Sequence, residues 1–206
     1  MSIKPTNVHI FNTRTMMKPV LTLCIAVSVG LFGILNCTPT LQPEPKAGVA
    51  PIAFSVGRAN FSWGASVYFT YYDTSGATYS YTYDASTWNT VSTLLDANPI
   101  TMDQIAQLQT LCIKDTGSPP RSGITRMRQG ALQIDTGNHA EKFNCGADMG
   151  GTDYCAYVYD RTNNRCSKIL LFERGDNWRI NLSLAADTIC QWLVGATYNK
   201  VPCNPQ

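Results

Sequence analysis

Histidine is nearly missing from this chain, with two in 206 residues, and only His139 follows the apolar N-terminal stretch. That leaves no material for a histidine-rich metal site or for a second histidine base, so no metal and no cofactor is expected. Cysteine is present but never as C-x-x-C, which removes the spacing of zinc ribbons and thioredoxin-type redox sites. The nucleophile elbow, the zincin helix, the phosphate-binding loop and the calcium loop are all lacking. A basic footprint is lacking as well. The formal charge is +2, but Lys4, Arg14 and Lys18 belong to an N-terminal stretch without acids, and downstream the acids slightly outnumber the bases. A nucleic-acid partner is therefore not expected. Arg121, Arg126 and Arg128 make the only local basic cluster, in a Pro/Gly-rich segment read as a solvated loop rather than an anion site.

What is there begins with an apolar run, Val20 to Leu35, free of charge, preceded by Lys18 and followed by Asn36 and Cys37. At about 1.5 Å of rise per residue it spans roughly 24 Å as a helix, short of the ~30 Å hydrocarbon core. The layout is that of a secretory leader. Residues 1–15 have neither helical nor strand periodicity and read as an upstream false start, with 16–36 as the signal peptide proper.

With Ile34 well placed, Leu35 and Asn36 looser, and Cys37 at the end, this stretch resembles the signal peptide and lipobox of bacterial lipoproteins, of the loosened spirochaetal type. The resemblance covers the leader alone. It implies that Cys37 is acylated and becomes the first residue of the mature protein, which would be held to the cell envelope, in the outer membrane, through its N-terminal lipid. Thr38 rather than aspartate after the cysteine points the same way. An uncleaved anchor helix is the alternative, and it too would export the remainder. Residues 37–51, with Pro39, Pro43, Pro45 and Pro51, read as an extended tether reaching some 40 Å. Residues 52–206 then suit a single globular domain with a core of its own.

Export gives the remaining cysteines an oxidising setting. Cys112, Cys145, Cys155, Cys166, Cys190 and Cys203 are an even set, and up to three disulfides are expected among them, with Cys145–Cys155 as the favoured local pair. Cys203 would pin the C-terminal tail.

Aromatic residues concentrate where the domain begins. Ser66–Tyr72 and Ala77–Tyr83 flank Asp73-Thr74-Ser75-Gly76, which is turn chemistry between runs of high strand propensity. A four-residue loop sets Tyr72 opposite Ala77. Alternation then gathers Tyr68, Tyr72, Tyr79, Tyr81 and Tyr83 on one face, unless a bulge shifts the pairing. Such a face is either core lining or an aromatic platform for a protein or carbohydrate ligand.

Beyond a break at Asn98-Pro99, Thr101-Met102-Asp103-Gln104 reads as a capping box, and Met102, Ile105, Leu108, Leu111 and Cys112 recur at helical spacing. Residues 117–130 read as loop and 131–136 as a strand. Strands at 154–159, 166–173 and 178–184 suggest a meander, closed by a helix over 185–194. The expected class is α+β, a mainly antiparallel sheet of hairpins with one or two packed helices, braced by disulfides.

For chemistry the candidates are few. His139 with Asp135 or Glu141 could serve an envelope hydrolase. Asp115-Thr116-Gly117 and Asp135-Thr136-Gly137 match the tripeptide of aspartic proteases, but they lie too close in sequence for that architecture and make good turns. The expected function is binding or interaction at the cell surface, with a hydrolase or a periplasmic inhibitor or assembly factor as alternatives.

Overall fold

A computed structural model describes residues 48–62, 64–143, 145 and 150–195, all within the compact unit Thr38–Gln206. The leader, Cys37, most of the tether and Cys203 lie outside the described residues. The described chain opens with strands β1 (Ile52–Asn60), β2 (Ser66–Asp73) and β3 (Thr78–Thr82), followed by helix α1 (Trp88–Asp96). Next come β4 (Ile100–Thr101), α2 (Met102–Leu111), β5 (Ile113–Lys114) and α3 (Ile124–Ala131). The last part holds β6 (His139–Lys142), β7 (Gly151–Asp160), β8 (Arg165–Gly175), β9 (Trp178–Asn181) and α4 (Leu184–Val194). The strands form one antiparallel sheet in the order β5-β3-β2-β1-β7-β8-β9-β6, with β4 also paired to β8. No helix among the described residues is long and apolar enough to cross a membrane.

The class is α+β, as the mixed order of strands and helices indicates, but four helices pack on the sheet rather than one or two. They divide between its faces. Ile124 and Met127 of α3 and Ile189 and Leu193 of α4 meet Phe54, Ala156, Leu171 and Phe172 on one side. Val91 and Leu94 of α1 and Ile105 and Leu108 of α2 meet Phe69, Tyr71, Cys155 and Tyr157 on the other. Period-2 alternation along each strand supplies both cores from the same residues' neighbours.

Local signals explain which helices were legible. Thr101 Oγ1 accepts from Gln104 N at 3.2 Å while Gln104 Oε1 accepts from Thr101 N at 2.8 Å, a complete capping box for α2. At α4, Ser183 caps the start and Gly195 closes the end with φ of 72°. Neither α1 nor α3 has a side-chain cap, and both were missed: 117–130 holds α3 instead of loop, and no strand follows at 131–136. Arg121, in the segment before α3, is not solvated. Its guanidinium lies 4.8 Å from the Tyr72 ring and 4.5 Å from the Trp192 ring and donates to Leu193 O at 3.1 Å, so it holds this segment to the end of α4. Arg128 donates to Thr74 O at 3.1 Å, so it too is used in packing.

The tyrosine hairpin is shifted by one residue from the sequence expectation. Tyr72 pairs with Thr78, Tyr71 with Tyr79 and Phe69 with Tyr81. The loop is Thr74-Ser75-Gly76, closed by Asp73 N donating to Ala77 O at 3.0 Å, with Gly76 at φ of 87°. Asp73 Oδ1 accepts from Ser75 N at 2.8 Å and from Ala77 N at 3.0 Å, which fixes this three-residue loop over the four-residue one. A one-residue slip exchanges the faces of one strand relative to the other. Tyr71, Tyr79 and Tyr81 are therefore buried together, the first two stacked at 4.7 Å, while Tyr68 and Tyr72 point to the opposite face. The five tyrosines do not share a face, and Tyr83 lies beyond the paired residues of β3.

The expected disulfide bracing is corrected for four cysteines. Cys112, Cys155, Cys166 and Cys190 are thiols, so Cys145–Cys155 is not a bridge. Cys145 is disulfide-bonded. Burial pushes the Cys112 thiol up to about 11 and Cys155 well above the ordinary thiol range, which disfavours the thiolate, the species that oxidises.

Two measurements test this packing. Tyr81→Ser should cost about 3–5 kcal/mol in urea denaturation, whereas Tyr68→Ser at the exposed position should stay within about 0.5 kcal/mol; equal effects would rule out the register. Alkylation mapped by mass spectrometry, without reductant, should label Cys112 slowly in the native protein and Cys155 only after unfolding, and a Cys155 that stays blocked after unfolding would contradict the thiol assignment.

Candidate functional site

The α1–α2 layer covers only part of its face of the sheet. Beside α1 the strands β1, β7 and β8 floor a cleft of about 520 Å³, walled by Phe69, Trp88 and Leu95. The floor is polar. It carries Ser55, Asp153, Cys155, Tyr157 and Lys168, with Glu173 and Arg179 further along.

Register places these groups. Phe69 pairs with Gly57, Gly57 with Asp153, Asp153 with Glu173, Glu173 with Arg179, and Arg179 with Glu141. Paired residues of an antiparallel sheet project to the same side, so one row runs from an aromatic end through a glycine gap to four charged side chains. A bulge in β8 completes it. Tyr154 pairs with Phe172 but Cys155 with Leu170, so Leu171 is an extra residue and Phe172 and Leu171 both enter the α3–α4 core. Residues after the bulge change faces, which turns Glu173 toward Asp153.

Gly57 makes room for the Asp153 side chain. A Cβ on Gly57 would stand 2.3 Å from Asp153 Oδ1, closer than any real contact. The carboxylate occupies the space a side chain would have filled. Its partner among the described residues is the Cys155 thiol, with Sγ 3.5 Å from Oδ2, a weak donor. Lys168 attracts it but is held elsewhere: its Nζ donates to Leu95 O at 2.7 Å, at the C-terminal end of α1, where a cation also meets the helix dipole. Backbone atoms of Lys168 are bridged by the Asn98 amide, at 2.8 and 3.2 Å, which ties the end of α1 to β8. Arg179 is likewise engaged, with Nε 3.5 Å from Glu173 and 3.8 Å from Glu141.

Burial pushes the Asp153 carboxyl above its ordinary range, opposed by the Cys155 thiol and the Lys168 charge. Below them Ser55 Oγ and Tyr157 OH lie 3.3 Å apart, and burial raises the phenol well above its usual value.

The hydrolase candidates separate. His139 and Glu141 line a second, smaller cleft of about 260 Å³ with Arg179 and Asn181. Among the described residues the imidazole makes no hydrogen bond to a carboxylate. Asp135 instead accepts from Gly137 N at 2.9 Å, and Asp115 from Gly117 N at 2.9 Å and Ser118 N at 3.0 Å, so both Asp-Thr-Gly tripeptides are local turns. No group of three or more His, Cys, Asp or Glu among the described residues could hold a metal ion.

The sequence alone does not single out Asp153, Gly57, Lys168 or Glu173: the strand read from it starts at Tyr154, β1 carries no reading, and Lys168 and Glu173 fall within 166–173 with nothing local to mark them. The alternation Asp153, Cys155, Tyr157 was the available signal. Comparison with protein-family models, with curated proteins and with solved structures gives no match to this chain.

The raised carboxyl has a stability consequence. The fold favours protonated Asp153, so stability is fully present below the unfolded value near 3.9 and is lost as pH rises through the folded value. Asp153→Asn should therefore melt higher than wild type at neutral pH, with the advantage vanishing toward pH 3.5. Thermal melts at both pH values decide it, and a variant that melts lower at pH 7 would contradict the desolvated carboxylate.

Proposed function

We propose that this chain is an exported, lipid-anchored envelope protein whose domain works by binding, and that its ligand enters the cleft beside α1. The address rests on the leader and on Cys37. The observation that carries the binding reading is the under-satisfied floor of that cleft, where the half-buried Asp153 has a weak thiol donor, its own backbone and the pull of a Lys168 already bonded to Leu95 O, with Glu173 as its cross-strand neighbour. Like charges set directly opposite are destabilising, and a cavity of this size suits a small molecule or the end of a peptide or glycan. The hairpin loses its claim as the contact surface because Tyr79 and Tyr81 are core. Disulfides play a smaller part than three bridges would, since both clusters under the helices are apolar and contain thiols.

Intact cells labelled with radioactive palmitate and then treated with protease test the address. Label and membrane association should be lost in Cys37→Ala, and the domain should be cut in intact cells. Label retained in Cys37→Ala would refute the anchor, and protection until lysis would turn the search to periplasmic ligands. Cross-linking in the same cells tests the cleft: Asp153→Lys should reduce ligand capture at least tenfold, and undiminished capture would refute the cleft as the binding site.

A further inference from the structure

We infer that the cleft beside α1 takes a compact organic ammonium group carried on an apolar stem, with Asp153 as its counter-ion. This rests on the binding reading and names the ligand's chemistry.

The charge inventory of the cleft supports it. Its lining holds three acids, Asp96, Asp153 and Glu173, and three bases, Arg58, Lys168 and Arg179. Two of the bases are committed, Lys168 to the Leu95 carbonyl and Arg179 to Glu173 and Glu141, and Arg58 is exposed at the rim. Among the described residues no ion pair engages Asp153. A carboxylate half-buried behind an apolar wall, beside a second acid and attracted only by a Lys168 that is bonded to Leu95 O and outside ion-pair distance, is the arrangement a ligand cation completes.

Geometry sets the class of cation. The glycine gap at Gly57 brings the carboxylate to the floor, so the charged end of a ligand must reach the sheet. Phe69, Trp88, Leu95 and Leu170 then surround whatever carries that charge, and aromatic faces attract organic cations. A bare divalent ion would need several oxygen ligands, and no such group exists among the described residues. A guanidinium fork pairs best with a carboxylate that offers both oxygens, whereas Asp153 Oδ2 already accepts from Cys155 Sγ. An ammonium needs one carboxylate plus single acceptors, and Ser55 and Tyr157 hydroxyls lie on the same floor.

Calorimetric titration of the purified full-length protein near pH 7 tests this with two probes of one shape, benzylamine and the neutral benzyl alcohol. Benzylamine should saturate one site at least tenfold more tightly than benzyl alcohol and shift the Trp88 indole resonance. Asp153→Asn should abolish that preference, and Glu173→Gln should weaken it less. Equal affinity for the two probes, absence of saturation by benzylamine, or a preference that survives in Asp153→Asn would overturn the assignment. Failure of benzylamine while Asp153→Lys still loses capture on cells removes the ammonium and leaves the binding domain; failure of both removes the cleft.

Discussion

An antiparallel sheet buries itself only as far as its helices reach, and here that limit shapes the whole domain. Among the described residues, four helices of eight to eleven residues must cover both faces of a nine-stranded sheet. On the α3–α4 side the strands from β1 to β9 answer with Phe54, Ala156, Phe172, Trp178 and Ile180, a continuous apolar surface. On the α1–α2 side the apolar surface stops near Cys155 and Leu170, and the row beyond turns to Asp153, Glu173, Arg179 and Glu141. The cleft is the boundary between covered and uncovered sheet. Its position follows from how far α1 extends, and α1 is held there by Lys168 and Asn98 of the same region.

Pattern reading reached the elements whose signals are local. The capping box of α2, the serine cap and closing glycine of α4, and the alternating β9 all carry their evidence within a few neighbouring residues. Helices α1 and α3 lack side-chain caps, and α3 follows Pro119-Pro120 and Gly123, residues that argue for loop; tertiary contacts with α4 and the sheet hold it instead. The hairpin was found but its register was not, because the choice between three and four loop residues depends on where one carboxylate, Asp73, directs its oxygen. That single choice moved Tyr79 and Tyr81 from a shared face with Tyr68 into the core.

The site was less legible than the fold, for a physical reason. Its members come from β1, β7, β8, β9 and β6, and only strand pairing unites them. The β8 bulge hides Glu173 further, since strict alternation along 166–173 would have sent it to the other face. Six cysteines after a leader-like stretch argue for bridges, yet Cys155 and Cys166 are packed in one apolar cluster as small hydrophobic side chains, a role that composition cannot distinguish from a half-cystine.

Gly57 ties these threads together. In a strand interior glycine weakens the sheet and contributes nothing to a core, so its place in β1, between Phe69 and Asp153, is a local cost. Alanine would add strand propensity and apolar area but would expel the carboxylate. Asparagine in place of Asp153 would remove the desolvated charge and its repulsion from Asp96. The asparagine moves the domain toward stability, whereas the alanine clashes with Asp153 unless the carboxylate swings aside, and the chain has neither. At the floor of the cleft beside α1 the chain keeps a strand glycine and a desolvated carboxylate together, a combined cost that positive charge placed there would offset.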